Sequence, residues 1–251
     1  MNNHSPQPTF TLITVTYNAA ETLERTLQSV ASQTYPHIEY ILVDGASTDG
    51  TLQLAKRYSD SISHLVSESD KGLYDAMNKG VGMATGDYVC FLNAGDKLHS
   101  PQTLRQVVDT LPDGSLPDVI YGQTAIVDNQ GMFLRMRRLT APEVLGWKDF
   151  RRGMLVCHQS FWASRSLAQQ HPYDLAYRFS ADFDWCIRIM QKACGLHNTH
   201  LTLTDYLNEG MTTRNHRASL KERFRIMVRH YGWFSTVLHH IWFVFRAIFK
   251  K

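Results

Sequence analysis

Alternation constrains this chain more than any other feature. Phe10 to Tyr17 is an unbroken β-rich apolar run, and Glu21 to Ala31 follows with Leu23, Leu27 and Val30 at helical spacing. Ile38 to Val43 reads as a second strand, Thr51 to Tyr58 as a helix and Ile62 to Val66 as a third strand. A helix over Gly72 to Ala84 and a strand over Asp87 to Leu92 complete three β-α repeats and a fourth strand in about a hundred residues. Such alternation demands right-handed crossovers, hence a mainly parallel sheet with helices on both faces. Beyond it, Pro101 to Leu111 reads as a helix, and Val119–Val127 with Met132–Leu139 as a hairpin around Asn129-Gln130-Gly131. An Asp-rich helix spans about Ala181 to Ala193, and a basic one Ala218 to Tyr231.

Composition sets the outer limits. A chain of 251 residues that is 43% hydrophobic and 20% charged is globular, long enough for one α/β domain with an appendage. The four cysteines (Cys90, Cys157, Cys186, Cys194) form no C-x-x-C pair and read as small buried hydrophobes in a reducing compartment. Met1 to Pro6 carries neither a basic start nor an apolar stretch, so a cytoplasmic protein without a secretory leader is expected.

The net charge of +3 conceals an asymmetry. Residues 214–251 hold nine lysines and arginines against one acid, Glu222, whereas residues 1–213 hold 17 bases against 22 acids. The same tail carries Trp233, Phe234, Leu238, Ile241, Trp242, Phe243 and Phe245. Basic and aromatic together read as an amphipathic helix on an anionic membrane surface, against the plainer reading of a helix packed on the body. His239, His240 and Arg246 interrupt its apolar part, which is too short to span the hydrocarbon core. Nucleic acid is not an expected partner, because the acidic body repels phosphate outside the tail.

Ligands of an open parallel sheet sit at the carboxyl ends of its strands, near the point where strand order reverses. Polar clusters fall at those ends: Thr16-Tyr17-Asn18, Asp44 with the loop after it, and Asn93 to Asp96. They suit a nucleoside diphosphate, with a carboxylate at Asp44 for base or ribose, one at Asp96 for a divalent ion, and Lys79 for added positive charge. Neither G-x-G-x-x-G after the first strand nor G-x-x-x-x-G-K-[ST] occurs, which disfavours dehydrogenases and P-loop NTPases.

These residues carry a resemblance. Thr14-Val15-Thr16-Tyr17-Asn18, Val43-Asp44-Gly45-Ala46-Ser47-Thr48-Asp49-Gly50-Thr51, the segment Ser67 to Gly80 and Phe91-Leu92-Asn93-Ala94-Gly95-Asp96 resemble family 2 glycosyltransferases of the GT-A fold, of the bacterial exopolysaccharide, O-antigen and colanic-acid type. The likeness is dense over residues 9–100 and sparser to about 217. It implies a GT-A domain over 1–213, with a nucleotide-sugar half (9–100) and an acceptor half (101–213), and a helical tail over 214–251.

The resemblance further implies inverting transfer from a nucleotide-diphospho-sugar to a glycan in bacterial surface polysaccharide biosynthesis, and the basic, aromatic tail points to a lipid-linked acceptor at the inner face of the cytoplasmic membrane. Thr16, Tyr17, Asn18 and Asp44 would hold the nucleoside, and Asp70 and Lys79 would line the phosphate pocket. Asn93, Ala94 and Gly95 occupy the place of the family's D-x-D motif, leaving Asp96 as the acidic ligand of a divalent metal, Mn²⁺ or Mg²⁺. Ser180-Ala181-Asp182-Phe183-Asp184-Trp185-Cys186-Ile187-Arg188 resembles the E-D-x-D-[LW]-x-x-R segment, which puts the general base on Asp182, with Ala181 in place of the glutamate. Asp184 would then cap the helix or pair with Arg188, four residues on.

His158 reads equally as an acceptor-side ligand or a satisfied structural histidine. Arg214 and His216 stand where relatives carry a Gly-Gly-x-Ser-type loop, as a cationic lid over the leaving diphosphate or as solvated loop residues. Two other functions remain compatible with the residues: a non-catalytic module that binds nucleotide-sugar or docks on membrane, and a sugar nucleotidyltransferase.

Overall fold

A computed structural model describes residues 7–114, 116–208 and 216–249. Its first half follows the alternation in the sequence. Strand β1 (Phe10–Thr16) is buried along its whole length and lies between β2 (Ile38–Asp44) and β4 (Tyr88–Phe91), parallel to both. Strand β3 (His64–Ser67) adds outside β2, also in parallel. The order β3-β2-β1-β4 means that the chain winds outward from β1 and then returns to its other side. The reversal falls between β1 and β4, and their carboxyl ends open the crevice where α/β sheets bind ligands.

Alternate residues of β1 feed two cores. Ile13 and Val15 pack with Ile41, Val43 and Phe91 beneath α3 (Leu73–Met83) and α6 (Ala181–Met190). Phe10 and Leu12 pack with Tyr40, Leu42 and Cys90 against α1 (Ala20–Ala31), α2 (Thr51–Lys56) and α4 (Thr103–Thr110). Each large side chain so buried contributes about 1.5–3 kcal/mol. Helix α3 approaches β1 closely: a Cβ on Gly80 would stand 2.6 Å from Cγ2 of Ile13.

The second half is mixed rather than parallel. Beyond β4 the sheet continues through β8 (Phe161–Ser164), β6 (Val119–Val127), β9 (Leu196–Leu207) and the short β5 (Lys97–Leu98). Of these pairings only β6–β9 is parallel. Strand β7 (Phe133–Met136) forms the expected hairpin with β6, shorter than its sequence predicts. The six-residue α5 (Arg165–Gln170) follows β8 directly.

The basic tail divides in two. Helix α7 (His216–Tyr231) buries Ser219, Ile226 and Met227 against the body. Gly232, at φ +81°, is the only residue between it and α8 (Trp233–Phe249). Helix α8 buries Thr236 and leaves Phe234, Leu238 and Ile241 exposed along one side. No helix among the described residues is long and apolar enough to cross a membrane.

Candidate active site

Thr16, Asp44 and Ser67 stand in one row across the ends of β1, β2 and β3. The Asp44 side chain is fully buried and its carboxylate is saturated. One oxygen accepts from Thr16 Oγ1 at 2.8 Å and from the Ser47 hydroxyl; the other accepts from Ser47 N–H and Ser67 Oγ, both at 2.8 Å. Burial pushes this carboxyl up, but the bonds from Ser47, Ser67 and Thr16 outweigh it and hold the group below its ordinary value. Asp44 is therefore an ionised brace of its own loop. A nucleoside N–H or hydroxyl reaching it must displace one of the bonds already there.

The outer wall of this corner joins three separate motifs. A Cβ on Gly45 would fall 2.5 Å from Asp70 Oδ2 and 3.4 Å from Cδ2 of Tyr17, so glycine is what lets these groups meet. Tyr17 is 69% exposed. Asn18 (φ 48°) and Ala46 (φ 60°) both adopt the left-handed conformation, which non-glycine residues hold only under outside constraint. Part of that constraint is reciprocal: Asn18 N–H donates to Ser47 Oγ at 2.8 Å, and Thr48 N–H donates to Asn18 Oδ1 at 3.0 Å. Asp70 Oδ1 accepts from Gly72 N–H at 2.8 Å. Lys79 reaches the same loop, but its ammonium is 2.8 Å from Glu68 Oε1 and donates to the Ser69 carbonyl at 3.1 Å. Its charge is thus largely matched at the rim.

After β4, Asn93-Ala94-Gly95-Asp96 closes a tight turn in which Asp96 N–H donates to Asn93 O at 2.9 Å. The turn is pressed on β9, since a Cβ on Gly95 would meet Cδ2 of Leu207 at 2.7 Å. Asp96 points inward. It is 3% exposed; Oδ1 accepts from Leu207 N–H and Oδ2 from Gln159 Nε2, each at 2.9 Å. Burial raises its pKa to about 7, opposed only in part by those two bonds and the charge of Arg25. The carbonyl Oδ1 of Asn93 is buried without a hydrogen-bond partner among the described residues.

Among the described residues, no three of His, Cys, Asp and Glu gather as metal ligands. A lone carboxylate turned into the body does not fit the metal-ligand role expected for Asp96. Its position makes it a brace between the β4 turn, β9 and Gln159.

The two acids of α6 part company. Asp182, in the first turn, remains partly exposed, and its Oδ1 accepts from the Tyr74 hydroxyl of α3 at 3.1 Å. Asp184 is wholly buried, with Oδ2 2.6 Å from Arg188 Nε and Oδ1 2.7 Å from His230 Nε2 of α7. The i,i+4 pair with Arg188 is the one its spacing predicts. Asp182 is therefore the acid with room for a ligand.

His158 lies beneath this site rather than in it. It is 5% exposed, stacks on Phe91 with centroids 4.8 Å apart, and shares a hydrogen bond with the Tyr173 hydroxyl. Burial lowers its pKa to about 4, so it is neutral. That environment matches the satisfied structural histidine, not a ligand for acceptor or diphosphate. Arg214 lies outside the described residues, as does the side chain of His216, whose backbone opens α7.

Three partners escape sequence reasoning. Tyr74 lies in the segment Ser67 to Gly80, where nothing local points to a partner 108 residues on. Gln159 and His230 act on Asp96 and Asp184 from 63 and 46 residues away in the chain, with no local pattern to announce them.

The strand order β3-β2-β1-β4, continued by a mixed half and covered by helices, is the GT-A fold of glycosyltransferases, as its structural neighbours bear out. The model of "Glycosyl transferase family 2" matches residues 11–171, and the chain belongs to that family. A PGL/p-HBAD biosynthesis glycosyltransferase of Mycobacterium bovis is 35% identical over 188 residues, covering 72% of this chain and 69% of the relative. The amylovoran biosynthesis glycosyltransferase AmsB of Erwinia amylovora is 30% identical over 192 residues, covering 71% and 63%. Among solved structures, S. aureus TarS 1-349 in complex with UDP-GlcNAc superposes with a TM-score of 0.69 at 20% identity, covering 87% of this chain and 64% of that one. The mannosyltransferase PcManGT of Pyrobaculum calidifontis, in complex with GDP-Man and Mn2+, gives 0.61 at 18% identity, covering 98% and 77%. At such identities the two structures speak for the fold.

Proposed function

We propose that this glycosyltransferase moves a sugar from a nucleotide-diphospho-sugar to a glycan hydroxyl with inversion at the anomeric carbon. The observation that carries the reading is the division of labour on α6. Asp184 is buried in ion pairs, while Asp182 is partly exposed and held, among the described residues, through the one oxygen that Tyr74 meets. In the transfer step Asp182 takes the proton of the acceptor hydroxyl as its oxygen attacks the anomeric carbon. The bond from that carbon to the diphosphate oxygen breaks on the opposite face, and the nucleoside diphosphate leaves with the electron pair. Tyr74 contributes by fixing the carboxylate, because a base is useful only within hydrogen-bond reach of its proton.

On the donor side, the Tyr17 ring, Asp70 and the loop braced by Asp44 receive the nucleoside. A divalent ion, Mn²⁺ or Mg²⁺, is in this reading a companion of the donor diphosphate rather than a resident of the protein. The relative named for amylovoran biosynthesis favours a role in bacterial surface polysaccharide. The exposed apolar side of α8, within a tail of nine bases and one acid, favours a lipid-linked acceptor met at the inner membrane surface.

Thermal stabilisation by UDP, GDP, dTDP and CDP, each with and without Mn²⁺, tests the donor pocket, since selective binding raises Tm by mass action. One nucleoside diphosphate should stand out. Asp182→Asn should abolish transfer and keep that stabilisation; turnover near that of the wild type removes Asp182 as the base.

A further inference from the structure

The helix that carries Asp182 does not fix its own beginning. Ser180 precedes α6 and is the residue type that normally caps a helix with its own hydroxyl, yet it makes no such bond. Its Oγ faces α7 instead, 2.8 Å from Ser219 Oγ and donating to the Ser219 carbonyl at 3.3 Å, with both serines buried. Just upstream, the Glu222 carboxylate accepts the backbone N–H groups of Arg178 and Phe179, one on each oxygen, both at 2.8 Å. Just downstream, His230 meets the fully buried Asp184 at 2.7 Å.

Residues 219, 222 and 230 recur on one side of α7, as do the core residues Ile226 and Met227 between them. The chain is therefore gripped at 178–180 and again at 184, on both sides of Asp182. None of these bonds involves Asp182 itself. A salt-bridged surface helix has no need of two buried serines and a carboxylate set over two backbone amides.

We infer that α7 is the positioning element of the transfer step, with Ser219, Glu222 and His230 holding the first turn of α6 so that Asp182 stays in register with the acceptor hydroxyl. The inference rests on the proposal that Asp182 is the base. Its energetic logic is that of orientation: a displacement of about 1 Å at a reacting group costs on the order of 100-fold in rate, although no contact with substrate is lost. The donor corner is built from β1, β2 and the loop before α3, away from the bonds that α7 makes, and should not register the change.

The test compares Glu222→Ala, Glu222→Gln, His230→Ala and His230→Gln with Asp182→Asn, each assayed well below its own melting temperature. Expected for Glu222→Ala and His230→Ala is a fall in kcat of about 10- to 100-fold, with donor KM and nucleotide-dependent stabilisation within about twofold of the wild type. The Glu222→Gln and His230→Gln variants should regain part of kcat, since the amide keeps one acceptor in the first case and a donor for Asp184 in the second. Should Glu222→Ala fail to fold, Ser219→Ala, which removes one hydroxyl pair, carries the same expectation. Unchanged kcat in the folded alanine variants overturns the inference, and so does a loss of kcat matched by an equal loss of donor binding. Asp182→Asn separates the two claims: if it turns over normally, the base assignment fails, whatever Glu222 and His230 show.

Discussion

The Tyr74 hydroxyl donates to Oδ1 of Asp182 across 3.1 Å and ties the two halves of the molecule together at the site. Tyr74 belongs to α3, which begins shortly after Asp70; Asp182 opens α6, 108 residues further along the chain. Burial first, and then the charge of Asp182, push the tyrosine well above its ordinary pKa, so it remains a donor.

Tyr74→Phe keeps the ring and removes that donor. A hydrogen bond to a charged group contributes about 1.5–3 kcal/mol, so kcat should fall on the order of 10- to 100-fold. Donor KM should stay put. Steady-state kinetics with varied donor checks this, and a change confined to KM would place Tyr74 in binding rather than in orientation of the base.

Asp184→Asn should act on stability. It withdraws the buried charge that Arg188 and His230 face, and breaking a buried pair costs about 3–5 kcal/mol. For a chain of this size that is on the order of 10 °C in Tm. Asp182→Asn, at a partly exposed position, should leave Tm within a few degrees. Differential scanning calorimetry of the two variants side by side distinguishes them.

Asp96 makes a pH-dependent contribution of unusual sign. Its folded pKa of about 7 lies above the ordinary 3.8, so the folded state binds a proton that the unfolded state releases. The stability this provides is complete below about pH 4 and is lost as pH rises through about 7, amounting to about 4 kcal/mol at most. Asp96→Asn removes the titration while keeping the shape. Between pH 5 and pH 8 the wild type should therefore lose more Tm than the variant; parallel curves would show that Asp96 is ionised in the native protein.

The outward side of α8 offers a fourth test. Phe234 and Leu238 are 81% and 67% exposed, so Phe234→Glu with Leu238→Glu should leave Tm unchanged. The pair should abolish sedimentation with vesicles containing phosphatidylglycerol if α8 lies on an anionic bilayer. Retained binding would assign the surface to another part of the chain.

Sequence and structure agree where the determinants are local. The parallel quartet is legible because β1 is apolar end to end and α1 shows Leu23, Leu27 and Val30 on one stripe, all buried as that spacing demands. Asp184 and Arg188 announce their pairing by being four apart. Strand β9 is another matter: its buried positions include Thr199, Thr204 and Asp205, which hide an inward face behind polar letters. Helix α7 packs on the body, the plainer reading of the tail, yet nothing local in Ser219, Glu222 and His230 points to their partners at 178–180 and 184. Asp96 looks available to a metal because nothing near it in sequence reveals Gln159 and the Leu207 amide that already hold it.

The joint at Gly232 has a mechanical consequence. One residue leaves almost no slack between the helix that grips α6 and the 17-residue helix that follows, which at 1.5 Å per residue extends about 25 Å. A shift of α8 is therefore passed to α7 and, through Ser219, Glu222 and His230, to the start of α6. Were α8 to rest on a bilayer, as proposed, the height of Asp182 would be gauged from that surface.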